Sequence, residues 1–174
     1  MAIIFWLIFI YNRIIRQKNI VREAWSGIDV QLKRRYDLIP NLVDAVKGYS
    51  SYEKELLQDI TDLRSKSMQL ITPGEKSQSE SDLSGRLKTL LAVAENYPDL
   101  KASSSFLNLQ QQLTEVEDQI QYARRYYNGA VRDYNTTIQS FPPNIVASIF
   151  GFKQEEFFMI TLATERATPE VGLS

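Results

Sequence analysis

Histidine and cysteine are both absent from these 174 residues. Their absence removes Ser-His and Cys-His nucleophile arrangements, thiol redox chemistry, disulfides and nearly every ordinary zinc or haem site. A ferritin-like di-iron centre, which needs Glu-x-x-His, is excluded with them. Glycine is sparse at seven residues, and no Gly-rich phosphate loop occurs. Neither sign of charge is in excess: Lys and Arg total 20 against 21 Asp and Glu, so no net field gathers nucleic acid. The acids that could form pairs, Glu53, Glu55, Glu115, Glu117 and Asp118, stand among ordinary polar residues. The chain is therefore read as a non-enzymatic protein with no cofactor, no metal and no nucleic-acid partner.

What is present is helical periodicity. Ile14, Val21, Trp25, Ile28 and Leu32 recur at steps of three, four or seven, one stripe on a first helix expected to end near Tyr36. Pro40 lacks an N–H and disfavours helical geometry at Ile39, so a turn is expected there, with Asp37 as N-cap of a second helix. A rival break lies at Gly48, where Ser50 and Glu53 offer a capping box. The second helix would bury Leu42, Val46, Tyr49, Leu56, Ile60 and Leu63. Residues 72–81, TPGEKSQSES, read as a flexible polar loop.

A third helix is expected from Asp82 to Tyr97, carrying Leu83, Leu87, Leu90, Leu91 and Ala94 and ended by Pro98. The last helix has the cleanest signal, with Phe106, Leu109, Leu113, Val116, Ile120, Ala123, Tyr127, Ala130 and Tyr134 alternating steps of three and four. Short connections favour an all-α, antiparallel up-down four-helix bundle within one chain over an intermolecular coiled coil. Oligomeric state is left open.

Ala2 to Tyr11, AIIFWLIFIY, is uncharged and then meets Arg13, Arg16, Lys18 and Arg22. Ten apolar residues fall short of the about 20 that a spanning helix needs. Three readings stand: a transmembrane helix whose first turns lie outside this sequence, an interfacial anchor, or the first turns of a soluble bundle. The first is favoured, with Phe5, Trp6 and Phe9 in contact with lipid. The cations that follow would hold their side in the cytoplasm, giving a single-pass protein of the cell membrane with its N-terminus out. The division is thus an anchor over 1–11, a helical body over 12–160 and a tail over 161–174 expected to be disordered.

From Ala24 to Val43 the residues AWSGIDVQLKRRYDLIPNLV resemble the signature of the LemA family. Tyr11-Asn12, Tyr127-Asn128, Tyr134-Asn135, Phe141-Pro142 and Gly151-Phe152 match further positions of its pattern. The resemblance implies a membrane-anchored helical bundle of uncertain molecular function, with a scaffold or adaptor role for membrane protein partners. It offers a TPM-domain protein or a zinc metalloprotease as such partners, and the MamQ-type magnetosome proteins as a related branch suggesting membrane-organelle formation. Gly27 sits inside the signature at a helical position, at about 1 kcal/mol relative to Ala, which close helix packing would explain.

Candidate partner-contacting residues fall in two places. Lys33, Arg34 and Arg35, with Asp37, form a basic run expected on an exposed face. Asn128 and Asn135 are expected either to pair across helices and fix register or to hold a partner. The segment 141–160 begins with two prolines and holds five phenylalanines. It folds back to cap the bundle, or dips Ile145, Ile149, Phe150 and Phe152 into the headgroup layer.

Overall fold

Pro40 does not break the first helix. The computed structural model describes residues 1–48 and 53–159, and in it α1 runs without interruption from Ala2 to Lys47. A proline in a helix leaves the carbonyl four residues earlier without its donor. Here that carbonyl belongs to Tyr36, and the Arg64 Nε–H donates to it at 2.7 Å. The ring of Pro40 faces solvent. The turn expected at residues 37–40, and the N-cap role of Asp37, are therefore corrected: a long-range guanidinium supplies the lost bond. The helix ends instead at the rival break beside Gly48. Tyr49, expected in the core, and Ser50, expected in a capping box, lie outside the described residues.

The remaining elements are α2 (Lys54–Gln69), α3 (Pro73–Ala94), α4 (Pro98–Lys101), α5 (Ser104–Gln139) and α6 (Pro143–Ile149). All regular structure among the described residues is helical, as expected. The loop expected over 72–81 is not there. Thr72 Oγ1 accepts from the Glu75 N–H and the Glu75 carboxylate accepts from the Thr72 N–H, both at 3.3 Å. Pro73 fills the first helical position, where no donor is missed. That capping box starts α3 about two and a half turns before the expected helix at Asp82. It buries Lys76, Ser79, Glu80 and Ser81. The expected tail, 161–174, lies outside the described residues.

The described residues divide into two compact units, one of residues 1–33 and 117–158, the other of residues 34–48, 53–116 and 159. In the second, the end of α1, all of α2 and α3 and the start of α5 supply the core. Ile39, Leu42 and Val46 are buried there with Leu57, Ile60, Leu83, Leu87, Leu90, Phe106 and Leu113. Helices α2 and α3 run antiparallel, joined by Ser67–Ser79 Oγ atoms 2.6 Å apart and by Asp59–Arg86 at 3.1 Å. The helical segments of this unit have boundaries other than those expected.

The first unit is built differently. It holds the first part of α1, the rest of α5, α6 and an extended segment, 152–158. Ile14, Val21, Ile28 and Leu32 are buried in it with Ile120, Val131, Tyr134, Ile138, Val146 and Phe158. Here the heptad stripe of α5 meets two helices and an extended strap. Gly27 is exposed and a Cβ on it would meet no atom within 4 Å, so close packing does not account for it and nothing else in the structure does.

The account of Pro40 is tested by a double-mutant cycle in urea unfolding. Arg64→Met should cost about 1–3 kcal/mol, the penalty of leaving a partly buried carbonyl unpaired. In a Pro40→Ala background, where the new N–H reaches Tyr36 O, the same change should cost markedly less. Equal costs in both backgrounds would contradict the account.

Candidate functional site

Two side-chain pairs on α5 hold the extended segment. Asn135 donates its Nδ2–H to the Glu155 carbonyl and accepts the Glu155 N–H on Oδ1, each at 2.9 Å. Asn128 does the same to Phe158, donating at 3.0 Å and accepting at 2.9 Å. Each amide therefore satisfies both polar groups of one residue, as a neighbouring strand would. The tyrosine beside each asparagine adds one bond: the Tyr134 hydroxyl donates to the Lys153 carbonyl at 3.0 Å and the Tyr127 hydroxyl to the Glu156 carbonyl at 2.7 Å.

The segment enters this ladder through a defined turn. Pro143 sits at the start of α6 without disturbing a helical bond. Gly151, at φ 69°, closes α6, where the Phe152 N–H reaches Ala147 O at 2.9 Å and the Gly151 N–H reaches Ser148 O at 3.3 Å. Only a residue tolerant of positive φ fits there. Beyond it the chain is extended and runs antiparallel to α5.

Side chains anchor the segment at two points. Phe158 is fully buried, its ring 5.5 Å from Trp25 in an edge-on arrangement, and Trp25 also meets Tyr127 at 5.4 Å with the rings tilted. Glu155 pairs with Lys18 at 3.7 Å. Burial, with help from the Glu155 and Glu156 carboxylates, pushes the Tyr127 phenol well above its ordinary value. Tyr134 is raised by burial and by Glu155, against an opposing Arg22. Both phenols stay protonated donors at neutral pH. Their stabilising contribution is full below about pH 10, the unfolded value, and falls as pH rises through the raised folded values.

The other candidates are placed as follows. Lys33, Arg34 and Asp37 are exposed, and Arg34 and Asp37 line a hollow of about 140 Å³ with Leu38, Gln112 and Val116. Arg35 is not part of that exposed face. It is fully buried, bonded to Glu80 of α3 and, at 2.6 Å, to Ser84 Oγ, while the Tyr36 hydroxyl donates to the same Glu80 carboxylate. No partner can reach it, so its expected surface role is corrected to a structural one. Asn128 bonds the backbone of residue 158 and Asn135 that of residue 155; the expectation that they pair across helices is replaced by pairing with an extended chain. Phe5, Trp6, Phe9, Ile145, Ile149 and Phe150 are all exposed, whereas Phe152 is half-buried with Lys18 Nζ 5.9 Å from its ring centre. The Tyr11 ring lies 4.7 Å from Phe150 and 5.8 Å from Phe152. Among the described residues no group of three or more acids is placed to hold a metal ion, and no helix is long and apolar enough to cross a membrane.

Reading the residues alone missed Glu80, Ser84 and Arg64, which lie far along the chain from the groups they satisfy. The two Tyr-Asn pairs spaced seven residues apart on α5 are the available signal for the strap.

These features define an all-helical protein whose C-terminal segment is strapped to its last long helix by paired tyrosine and asparagine side chains. The sequence pattern of the LemA family matches residues 24–172. The chain belongs to the LemA family, as the Ala24–Val43 signature implied. Protein LemA of Metamycoplasma hominis is 31% identical over 150 residues, 83% of this chain and 67% of that protein. Magnetosome protein MamQ 2 of Paramagnetospirillum magneticum is 27% identical over 183 aligned positions, 90% of this chain and 67% of that protein. Magnetosome protein MamQ of Magnetospirillum gryphiswaldense is 24% identical with the same shares covered.

Each clamp makes two bonds, at about 0.5–1.5 kcal/mol apiece. Asn128→Ala and Asn135→Ala should each lower unfolding free energy by about 2 kcal/mol in urea titrations. Together they should cost less than the sum, because a strap freed at one clamp weakens the other. Strict additivity, or unchanged stability, would refute the ladder as a cooperative device.

Proposed function

We propose that this chain is a non-enzymatic adaptor held at a lipid bilayer by the first turns of α1, with its body in the cytoplasm. The observation that carries this reading is an apolar surface in two parts. Ile4, Phe5, Trp6, Leu7, Ile8 and Phe9 are exposed at the start of α1. The Tyr11–Phe150 contact brings up a second exposed group, Phe141, Ile145, Ile149 and Phe150, on and around α6. Contiguous apolar surface of this kind marks an interaction with membrane or protein.

The charges that follow support the same setting. Arg13 and Arg16 are exposed on α1 immediately after the apolar turns, and Lys153 is exposed just after the second group. Cations there favour anionic headgroups and the cytoplasmic side. The α6 residues enter the headgroup layer beside the anchor. Similarity to relatives whose names place them at magnetosomes supports a membrane setting, and a role in membrane-organelle formation is the narrower alternative. Membrane proteins, a TPM-domain protein or a zinc metalloprotease among them, are the partners this reading assigns, and the exposed Lys33, Arg34 and Asp37 offer them charged contacts.

Flotation with vesicles of phosphatidylglycerol and phosphatidylethanolamine tests the membrane reading. The full chain should float. Replacing Phe5, Trp6 and Phe9 by Ser should leave most of it in the soluble fraction, and Ile149→Ser with Phe150→Ser should weaken flotation several-fold. Undiminished flotation of the Phe5/Trp6/Phe9 variant would reject the anchor.

A further inference from the structure

The ladder on α5 reads backbone rather than sequence, and its spacing explains how. Tyr127-Asn128 and Tyr134-Asn135 are seven residues apart, about 10.5 Å along a helix at 1.5 Å per residue. The positions they bind, 153 with 155 and 156 with 158, are three residues apart, about 10 Å along an extended chain at 3.3 Å per residue. The two repeats match. Any extended segment with an N–H at the places of Glu155 and Phe158 satisfies the same bonds.

Selectivity comes from two side chains. Phe158 fills the pocket beside Trp25 and Tyr127, and Glu155 faces Lys18. Gln154, Glu156 and Phe157 are exposed and leave their places unspecified. The strap that occupies the groove has no secondary structure of its own and one fully buried side chain, and it follows a glycine of positive φ. Segments of this kind open at lower free energy than the helices they lie on.

We propose that the groove formed by Trp25 and Lys18 of α1 with the α5 ladder is a receptor for an extended protein segment bearing a carboxylate and, three residues on, an aromatic side chain, with residues 153–158 as its intramolecular occupant. The partner is another protein whose exposed acidic-aromatic segment displaces the strap. Recognition follows the strand-addition mode, with helix-borne amides standing in for a sheet edge. The inference supplies the partner chemistry of the adaptor and rests on that reading for its setting; the groove itself does not depend on lipid.

The probe is a fluorescein-labelled peptide with the sequence of residues 152–159, titrated in lipid-free detergent micelles against the full chain and against a Phe158→Ala chain. The occupied groove of the unsubstituted chain competes at the effective concentration of a tethered ligand. Anisotropy should therefore show saturable binding to the Phe158→Ala chain, at least about tenfold tighter than to the unsubstituted one. Peptides carrying Phe158→Ala or Glu155→Pro should bind at least about tenfold more weakly than the parent peptide, the second because proline removes the N–H that Asn135 accepts. A Phe158→Ala chain of full helical circular dichroism that fails to bind, or that binds the proline peptide equally, overturns the proposal. Should that chain lose helical signal, a Glu155→Pro chain takes its place with the same criteria. Failure of vesicle flotation bears on the anchor alone, and failure of this titration on the groove alone.

Discussion

Asn128 and Asn135 each grip the N–H and the C=O of a single residue, and the first unit of the molecule is organised around that grip. A chain segment lying on a helix has no ladder of its own, and unpaired backbone groups taken from water cost more than most contacts return. Four amide bonds and two phenolic bonds lower that cost at Lys153, Glu155, Glu156 and Phe158. With its own N–H and C=O both paired, Phe158 can be sunk completely against Trp25. Gly151 then becomes intelligible as the point where α6 stops and the strap begins. The same geometry leaves Ile145 and Ile149 of α6, with Phe150 after it, facing outward, beside Tyr11 and the exposed start of α1.

The second unit solves a comparable difficulty with charge. Arg35 and Glu80 are both fully buried, a pairing whose desolvation is severe and whose rupture commonly costs 3–5 kcal/mol. Ser84 and Tyr36 take up further hydrogen-bonding capacity around the pair. One residue along from Arg35, the carbonyl stranded by Pro40 is occupied by Arg64. Such bonds fix the register of α1 against α2 and α3, since a shift of one residue would strand a charge and a carbonyl together. The unit thus combines an ordinary aliphatic core with a polar cluster that tolerates little rearrangement.

How much of this could be read from residues alone follows from the range of each interaction. The stripes of α1 and α5 were legible because burial at helical spacing is a local pattern, and Ile14, Val21, Ile28, Leu32, Phe106, Leu113, Val116 and Ile120 are buried as that pattern requires. Pro40 misled because its compensating donor is 24 positions away from it in α2. Residues 72–81 are polar throughout and so resemble a loop, although Thr72, Pro73 and Glu75 carry a helix-starting capping signal locally. Arg35 looked like a solvated cation because its counter-charge lies in that same misread segment. The Tyr-Asn pairs were visible as a repeat, but their partner was not. Side chains that bind backbone impose no side-chain pattern on the segment they hold.

Belonging to the LemA family gives this architecture a context, while the site gives it a mechanism: a helix whose amides substitute for a strand. Amide hydrogen exchange, resolved by residue in the full chain, tests that mechanism most directly. The amides of Glu155 and Phe158, each donated to an asparagine, should exchange at least about tenfold more slowly than those of Gln154 and Phe157. Exchange of all four at one common rate would contradict the ladder.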